Sequence, residues 1–222
     1  MTMHKFKQAG LSMIELMISI AIGLVVVSGV IGMFVSTAVS STENLKMTRL
    51  NQELRAAMDV MVQDIRRAGY RGDSITAAGA NPFITGVNDL TVTGTDCITF
   101  TYDSTALDNP TAVAGWGLVD AASDVFGYRR EVVGGVGVVR SGTGAAVTLG
   151  SCTTGDWQDL TDGDSVDITT LRFDVVSVLS PAGPSGATRN IRNVTITLTG
   201  RIRGSIPAVN RTITETVQMV NS

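Results

Sequence analysis

The chain has 222 residues, a formal net charge of −3 and a mean hydropathy of +0.25, which bounds it to one ordinary domain beyond a short targeting segment. Its acidic balance excludes a general nucleic-acid-binding composition. The only histidine is His4, so the rest of the chain has no histidine for acid–base catalysis, a Ser-His-Asp triad or the commonest transition-metal ligand, which argues against an enzyme.

Two lysines, Lys5 and Lys7, precede Gly10, and an almost unbroken apolar segment follows. Across residues 11–42 the only formal charge is Glu15. A bilayer is crossed by about 20 apolar residues. A carboxylate inside such a segment is costly, by roughly 2.5–3.5 kcal/mol on insertion scales for Asp, so it calls for a partner. An ordinary secretory signal would be cut after a small-residue site such as Ser36-Thr37-Ala38 or Ala38-Val39-Ser40. Its apolar region spans about 7–15 residues, shorter than this one. A plain signal anchor gives Glu15 no purpose. The short basic leader, Gly10, and a glutamate five residues after that glycine resemble the type III signal of the type IV pilin superfamily; Leu11 stands where Phe is usual. The resemblance implies that a prepilin peptidase cuts between Gly10 and Leu11 and methylates the new amine of Leu11. It also implies that Glu15 acts in assembly by pairing with a subunit's N-terminal amine. Removing the leader leaves 15 basic against 20 acidic side chains, and the positive-inside rule then keeps the leader cytoplasmic while the remainder crosses.

Residues 11–36 read as a transmembrane helix. Small residues recur at four-residue spacing, with Ser28, Gly32, Ser36 and Ser40 on one stripe and Ser19 and Gly23 on another. Such stripes let helices approach closely in lipid, although Gly and Ser are also simply tolerated there. The helical pattern continues. Leu50, Leu54, Ala57, Met61, Ile65 and Ala68 fall on one face, while Arg49, Gln52, Glu53, Arg55, Asp59, Gln63 and Arg66 fill the remainder. No proline precedes Pro82, so one helix is expected to run to Ala68 with Gly69 as its C-cap, roughly 85–90 Å of helix at 1.5 Å per residue.

After Gly72 the composition shifts to Gly, Thr, Ser, Asp and Val. Ile98, Phe100 and Tyr102 alternate with Thr99 and Thr101. Phe126 with Tyr128, residues 136–140, Leu171-Phe173-Val175, Val194-Ile196-Leu198, and Ile213-Val217-Met219 read as further strands. Gly134-Gly135, Asp162-Gly163-Asp164 and the 180–188 stretch read as turns or an exposed loop, so the domain is antiparallel and β-rich. Its two cysteines, Cys97 and Cys152, are expected to pair, because an exported domain meets an oxidising compartment; the other reading is two small buried residues. Asp156, Asp159, Asp162, Asp164 and Asp167 form an oxygen-rich stretch of the kind that binds Ca²⁺. The spacing is not that of an EF-hand, and Asp-Gly-Asp also makes a turn before a strand at Val166, so no metal site is expected. Tyr102, Trp116, Phe126, Tyr128 and Trp157 could line a groove, but aromatics scattered through a β domain are usually core.

Two stretches narrow the resemblance to the PilW family of type IV pilus minor pilins. They are Leu16-Met-Ile-Ser-Ile-Ala-Ile-Gly-Leu24 and Asp64-Ile-Arg-Arg-Ala-Gly-Tyr-Arg-Gly72, with Thr216-Val-Gln-Met-Val-Asn221 a fainter echo. Asp73 stands where some PilW-like chains carry Cys. The expected fold is α+β and pilin-like: a leader at 1–10, a transmembrane helix at 11–36, its amphipathic continuation at 37–69, and a β-rich domain at 70–222. The resemblance implies a non-catalytic minor pilin, without cofactor, that initiates or caps a pilus. Its implied partners are other minor pilins, the major pilin, prepilin peptidase, the inner-membrane assembly platform and membrane lipid. The implied location is the bacterial inner membrane, with the C-terminal domain periplasmic, and then the pilus. A minor pseudopilin of type II secretion shares these features, and an exported membrane-anchored binding protein or adhesin is the alternative of a different class.

Overall fold

The computed structural model describes residue 10 and residues 12–72, 81–104, 119–179, 190–204 and 208–219. Leu11, Trp116, most of the leader and the expected loop at 180–188 lie outside the described residues. The chain forms two compact units, Met1–Lys46 and Met47–Ser222. One helix, α1 (Met13–Arg67), contributes to both.

In the second unit, Leu50, Leu54, Ala57, Met61, Ile65 and Ala68, the residues that fall on one face by periodicity, are all buried, and Met58 joins them. Each large side chain of this kind stabilises by about 1.5–3 kcal/mol when fully buried. Arg49, Gln52, Arg55, Asp59, Gln63 and Arg66 face water. The helix stops at Arg67, and Gly69 takes the left-handed conformation, φ 76°, that a side chain disfavours. This stop is also a joint. Gly69 donates its N–H to the Thr101 carbonyl at 2.8 Å, and Tyr70 accepts from the Asp103 N–H at 2.9 Å.

The described strands form two antiparallel sheets. The first is a meander of β1 (Thr91–Thr93), β2 (Cys97–Thr101), β3 (Val125–Val133), β4 (Val136–Thr143) and β5 (Gln158–Asp159). The second contains β6 (Val166–Leu179), β7 (Asn190–Ile202) and β8 (Asn210–Gln218), in that order. One core joins the helix stripe to Ile98, Phe100, Tyr128 and Val139 of the first sheet and to Ile168, Leu171, Phe173, Val194, Ile196, Leu198 and Val217 of the second.

The alternation holds on β7, where Val194, Ile196 and Leu198 are buried and the threonines between them are half-exposed. It fails on β2. Thr99 and Thr101 are as fully buried as Ile98 and Phe100, because irregular segments cover the outer face of the strand. Their hydroxyls are satisfied there: Thr99 accepts from the Gly150 N–H at 3.0 Å, and Thr101 donates to the Asn88 carbonyl at 2.7 Å.

Polar contacts seam the two sheets. Phe173 donates its N–H to the Thr95 carbonyl at 2.8 Å, and Arg130 Nε donates to the Ile168 carbonyl at 2.7 Å. The Asp167 carboxylate accepts from the Gly137 N–H and from Arg201 Nε, both at 2.8 Å. Burial alone would raise the Asp167 pKa, but these donors outweigh it and hold the carboxyl below its usual range. Gly137 permits the approach: a Cβ there would sit 2.0 Å from the Ile168 carbonyl oxygen and 2.8 Å from Arg130 Nη2. Gly137→Ala is therefore expected to force the sheets apart at a cost of about 1–3 kcal/mol, the range for overpacking. Thermal unfolding of the purified chain checks this; an unchanged midpoint would show that the sheets do not meet at Gly137.

Candidate functional site: the N-terminal segment and the helix it opens

Every described residue from 12 to 42 is exposed, including Met13, Val25, Met33 and Phe34, each with about three-quarters or more of its surface open. Among the described residues, α1 is the one helix long and apolar enough to cross a membrane. The hydroxyls in this stretch do not call for water. Ser19 and Ser28 donate to the carbonyls four residues back at 2.7 Å, Thr37 does so at 2.9 Å and Thr42 at 3.0 Å. Such bonds lower the cost of placing these residues in an apolar medium. A Cβ at Gly23, Gly29 or Gly32 would meet nothing within 4 Å, so the first unit's own packing does not require glycine there.

The segment opens on Gly10, which is exposed. The Ser12 carbonyl accepts from the N–H groups of Glu15 at 3.0 Å and Leu16 at 3.1 Å, closing the first turn. Glu15 lies in that turn, where the positive end of the helix dipole favours a carboxylate by about 0.3–1 kcal/mol. Its carboxylate meets no side chain among the described residues. Glu15 is thus placed in the first turn of α1, and Gly10 precedes the helix by three residues.

The second stretch singled out in the sequence, 64–72, docks the helix on the first sheet. The Tyr128 hydroxyl on β3 donates to the Asp64 carboxylate. Burial first, and then the charge of Asp64, push the Tyr128 hydroxyl far above its ordinary pKa. Tyr102, just past β2, is pushed up to about 12 by burial and by Asp64, while a hydrogen bond with Arg67 acts in the opposite direction. Tyr102 stacks on Phe126 with ring centroids 4.0 Å apart. Sequence reasoning did not assign Asp64 or Arg67 these partners; the signal available was two charges within the last turn of an otherwise buried stripe.

Cys97 on β2 and Cys152, in the segment between β4 and β5, are bonded, with Cα atoms 6.3 Å apart. Around them lies a smaller core of Val125, Val147 and Trp157. The Trp157 indole lies against Gly127 and Gly142, a cross-strand pair; a Cβ at Gly127 would come within 2.9 Å of the ring. Arg129 covers the ring from 4.8 Å and donates to the Cys152 carbonyl.

Of the five aspartates between 156 and 167, Asp162 and Asp164 share the expected turn and the other three go elsewhere. Asp156 is exposed, Asp159 pairs with Arg140 and Asp167 turns into the inter-sheet seam. Asp162 accepts from the Asp164 N–H at 2.9 Å and pairs with Arg49 at 2.9 Å, and the Asp164 N–H, then Ser165, hold it below its usual pKa. Glu53 accepts from the Asp162 N–H, so this turn clasps the helix; burial leads in raising the Glu53 pKa. Among the described residues no three His, Cys, Asp or Glu side chains are grouped to hold a metal ion. Tyr102, Tyr128 and Trp157 are buried and Phe126 half-buried, so these aromatics form core and line no groove.

The family model described as Prepilin peptidase-dependent protein B matches residues 43–219, and the one described as Prokaryotic N-terminal methylation motif matches residues 5–31. The latter range includes Gly10, Leu11 and Glu15. Among solved structures, a type IV-like pilin from Thermus thermophilus is similar, with 15% identity and a TM-score of 0.42, covering 78% of this chain and 98% of that one. No curated protein matches the chain.

Proposed function

We propose that this chain, which belongs to the prepilin peptidase-dependent protein B family, is a PilW-like minor pilin that co-assembles with other minor pilins to initiate or cap a type IV pilus. The observation that carries this reading is a single helix with two environments: exposed and apolar through residue 42, buried along one stripe from Leu50 onward. A soluble globular fold leaves such an apolar stretch without a partner. A subunit stored in a bilayer and then transferred into a bundle of like helices gives it one in both states. In this reading residues 1–10 are the leader, residues 11–36 span the inner membrane and the β-rich domain is periplasmic. The chain does no chemistry of its own; prepilin peptidase acts on it, and the assembly platform, the major pilin and other minor pilins receive it.

The mature chain is expected to begin at Leu11 with a methylated amine. Intact-mass measurement on membrane or filament material checks this, and an N-terminus at Met1 or after Ala38 overturns it. Purified pili should then contain the chain. Recovery only with a secretion-system pseudopilus moves it to the pseudopilin reading, and loss of attachment with pili intact, on deletion, moves it to the adhesin reading.

A further inference from the structure

The outer edge of β6 changes character halfway along. Up to Phe173 the first sheet covers it, through the Thr95, Gly137 and Arg130 contacts described above. The Phe173 N–H reaches Thr95, so it points away from β7. The two-residue period of a strand then points the backbone N–H and C=O groups of Val175, Ser177 and Leu179 the same way. Among the described residues those groups have no partner. The side chains along this edge are apolar and open: Val175 is 37% exposed, Val176 56%, Val178 52% and Leu179 69%. Strand edges are ordinarily guarded by a lysine, a proline or a bulge. Here the bulge lies between Ile168 and Thr170, in the covered half, and residues 175–179 contain neither charge nor proline.

Two features say what fits this edge. Asp174, the last charge before it, is already held by Arg172 through two hydrogen bonds of 2.7 Å, so no ionic group waits to be matched. The segment also reads nearly alike in both directions from Ser177: Val176 and Val178, then Val175 and Leu179. An antiparallel strand of the same sequence sets apolar against apolar at every step, with serine opposite serine. We propose that the open edge of β6 pairs with the same edge of a second copy of this chain, antiparallel about Ser177, so that the two second sheets become one continuous sheet. The contact is isologous, as two-fold pairing requires. A five-residue edge buries less than the roughly 1,200–2,000 Å² of stable complexes, so the dimer forms weakly and depends on concentration.

The register sets the test, made on the full chain in detergent at high concentration. Ser177 meets its own copy in a hydrogen-bonded pair, with Cα atoms about 5.5 Å apart, inside the range a disulfide spans. Under mild oxidation Ser177→Cys is expected to give a disulfide-linked dimer at a yield at least ~5-fold above that of Val175→Cys, which meets Leu179 of the second copy. Adding Val178→Lys to Ser177→Cys should abolish the dimer, with peptide mapping confirming that Cys97–Cys152 stays intact. Equal yields from Ser177→Cys and Val175→Cys overturn the register. Concentration-independent protection of the Val175, Ser177 and Leu179 amides from hydrogen exchange shows the edge to be covered within its own chain, and overturns the proposal.

Discussion

Cys152→Ala is expected to destabilise residues 47–222 by about 4 kcal/mol, the chain-entropy value for a bond that closes a loop of this length. The separation of Cys97 and Cys152 is 55 residues, and without the bond the unfolded chain regains that freedom. A loss of this size lowers the thermal midpoint by on the order of 10 °C in a unit of this size. The local reason points the same way. The segment between β4 and β5 is held by few regular hydrogen bonds, since β5 contributes only Gln158 and Asp159. The disulfide, the Trp157 ring on Gly127 and Gly142, the hydrogen bond from Gly150 to the Thr99 hydroxyl and that from Arg129 to the Cys152 carbonyl fix it. Cys152 is the better site to change, because Cys97 is buried in β2, where truncation also leaves a cavity. Reducing the wild-type protein should reproduce the drop, and membrane insertion through residues 11–38 should be unaffected. A wild-type midpoint that does not move under reduction would show that the bond contributes nothing.

The elements visible in the sequence are those whose physics is local. The helix stripe from Leu50 to Ala68 declares itself because a period near 3.6 is enough to put those residues on one face. Gly69 declares itself as a stop because it follows the last periodic residue. The bipartite helix, its apolar start with Gly10 and Glu15, and the β-rich remainder were legible for the same reason. What stayed hidden depends on residues far apart in the chain. Thr99 and Thr101 look like the solvent face of β2 until Gly150 and Asn88 arrive to cover them. Gly127, Gly137 and Gly142 carry no local sign of their role. Their meaning, close approach to Trp157 and to the Ile168 carbonyl, exists only once the loop has returned and the two sheets have met. The division into two sheets, and the extension of β6 and β7 over 14 and 13 residues, had no local marker either.

Glu15→Val is expected to leave leader cleavage and membrane insertion intact while reducing recovery of the chain in filaments by an order of magnitude or more, the loss that about 1.4 kcal/mol or more of pairing energy per subunit produces. The argument starts from cost. A carboxylate at membrane depth is unfavourable by roughly 2.5–3.5 kcal/mol on insertion scales for Asp, so valine makes insertion easier. The carboxylate therefore does not serve insertion, and Glu15 has no side-chain partner among the described residues. In the proposed reading, cleavage after Gly10 creates a cation, the amine of Leu11. A helix continued back to residue 11 would set that amine about 6 Å from Glu15 along the axis, at 1.5 Å per residue. A neighbouring helix staggered by a few residues brings its own amine to the same carboxylate. In an apolar medium that pairing is worth far more than in water, which lets one ion pair set the register between adjacent helices. Three substitutions separate charge from shape. Glu15→Asp should retain part of the recruitment, whereas Glu15→Gln, which keeps the shape without the charge, should fail as Glu15→Val does. The competing account is that Glu15 reaches the cytoplasmic interface and meets no specific group. Glu15→Val protein that co-purifies with filaments at wild-type levels, and restores piliation to a deletion strain, would establish that account and reject the pairing.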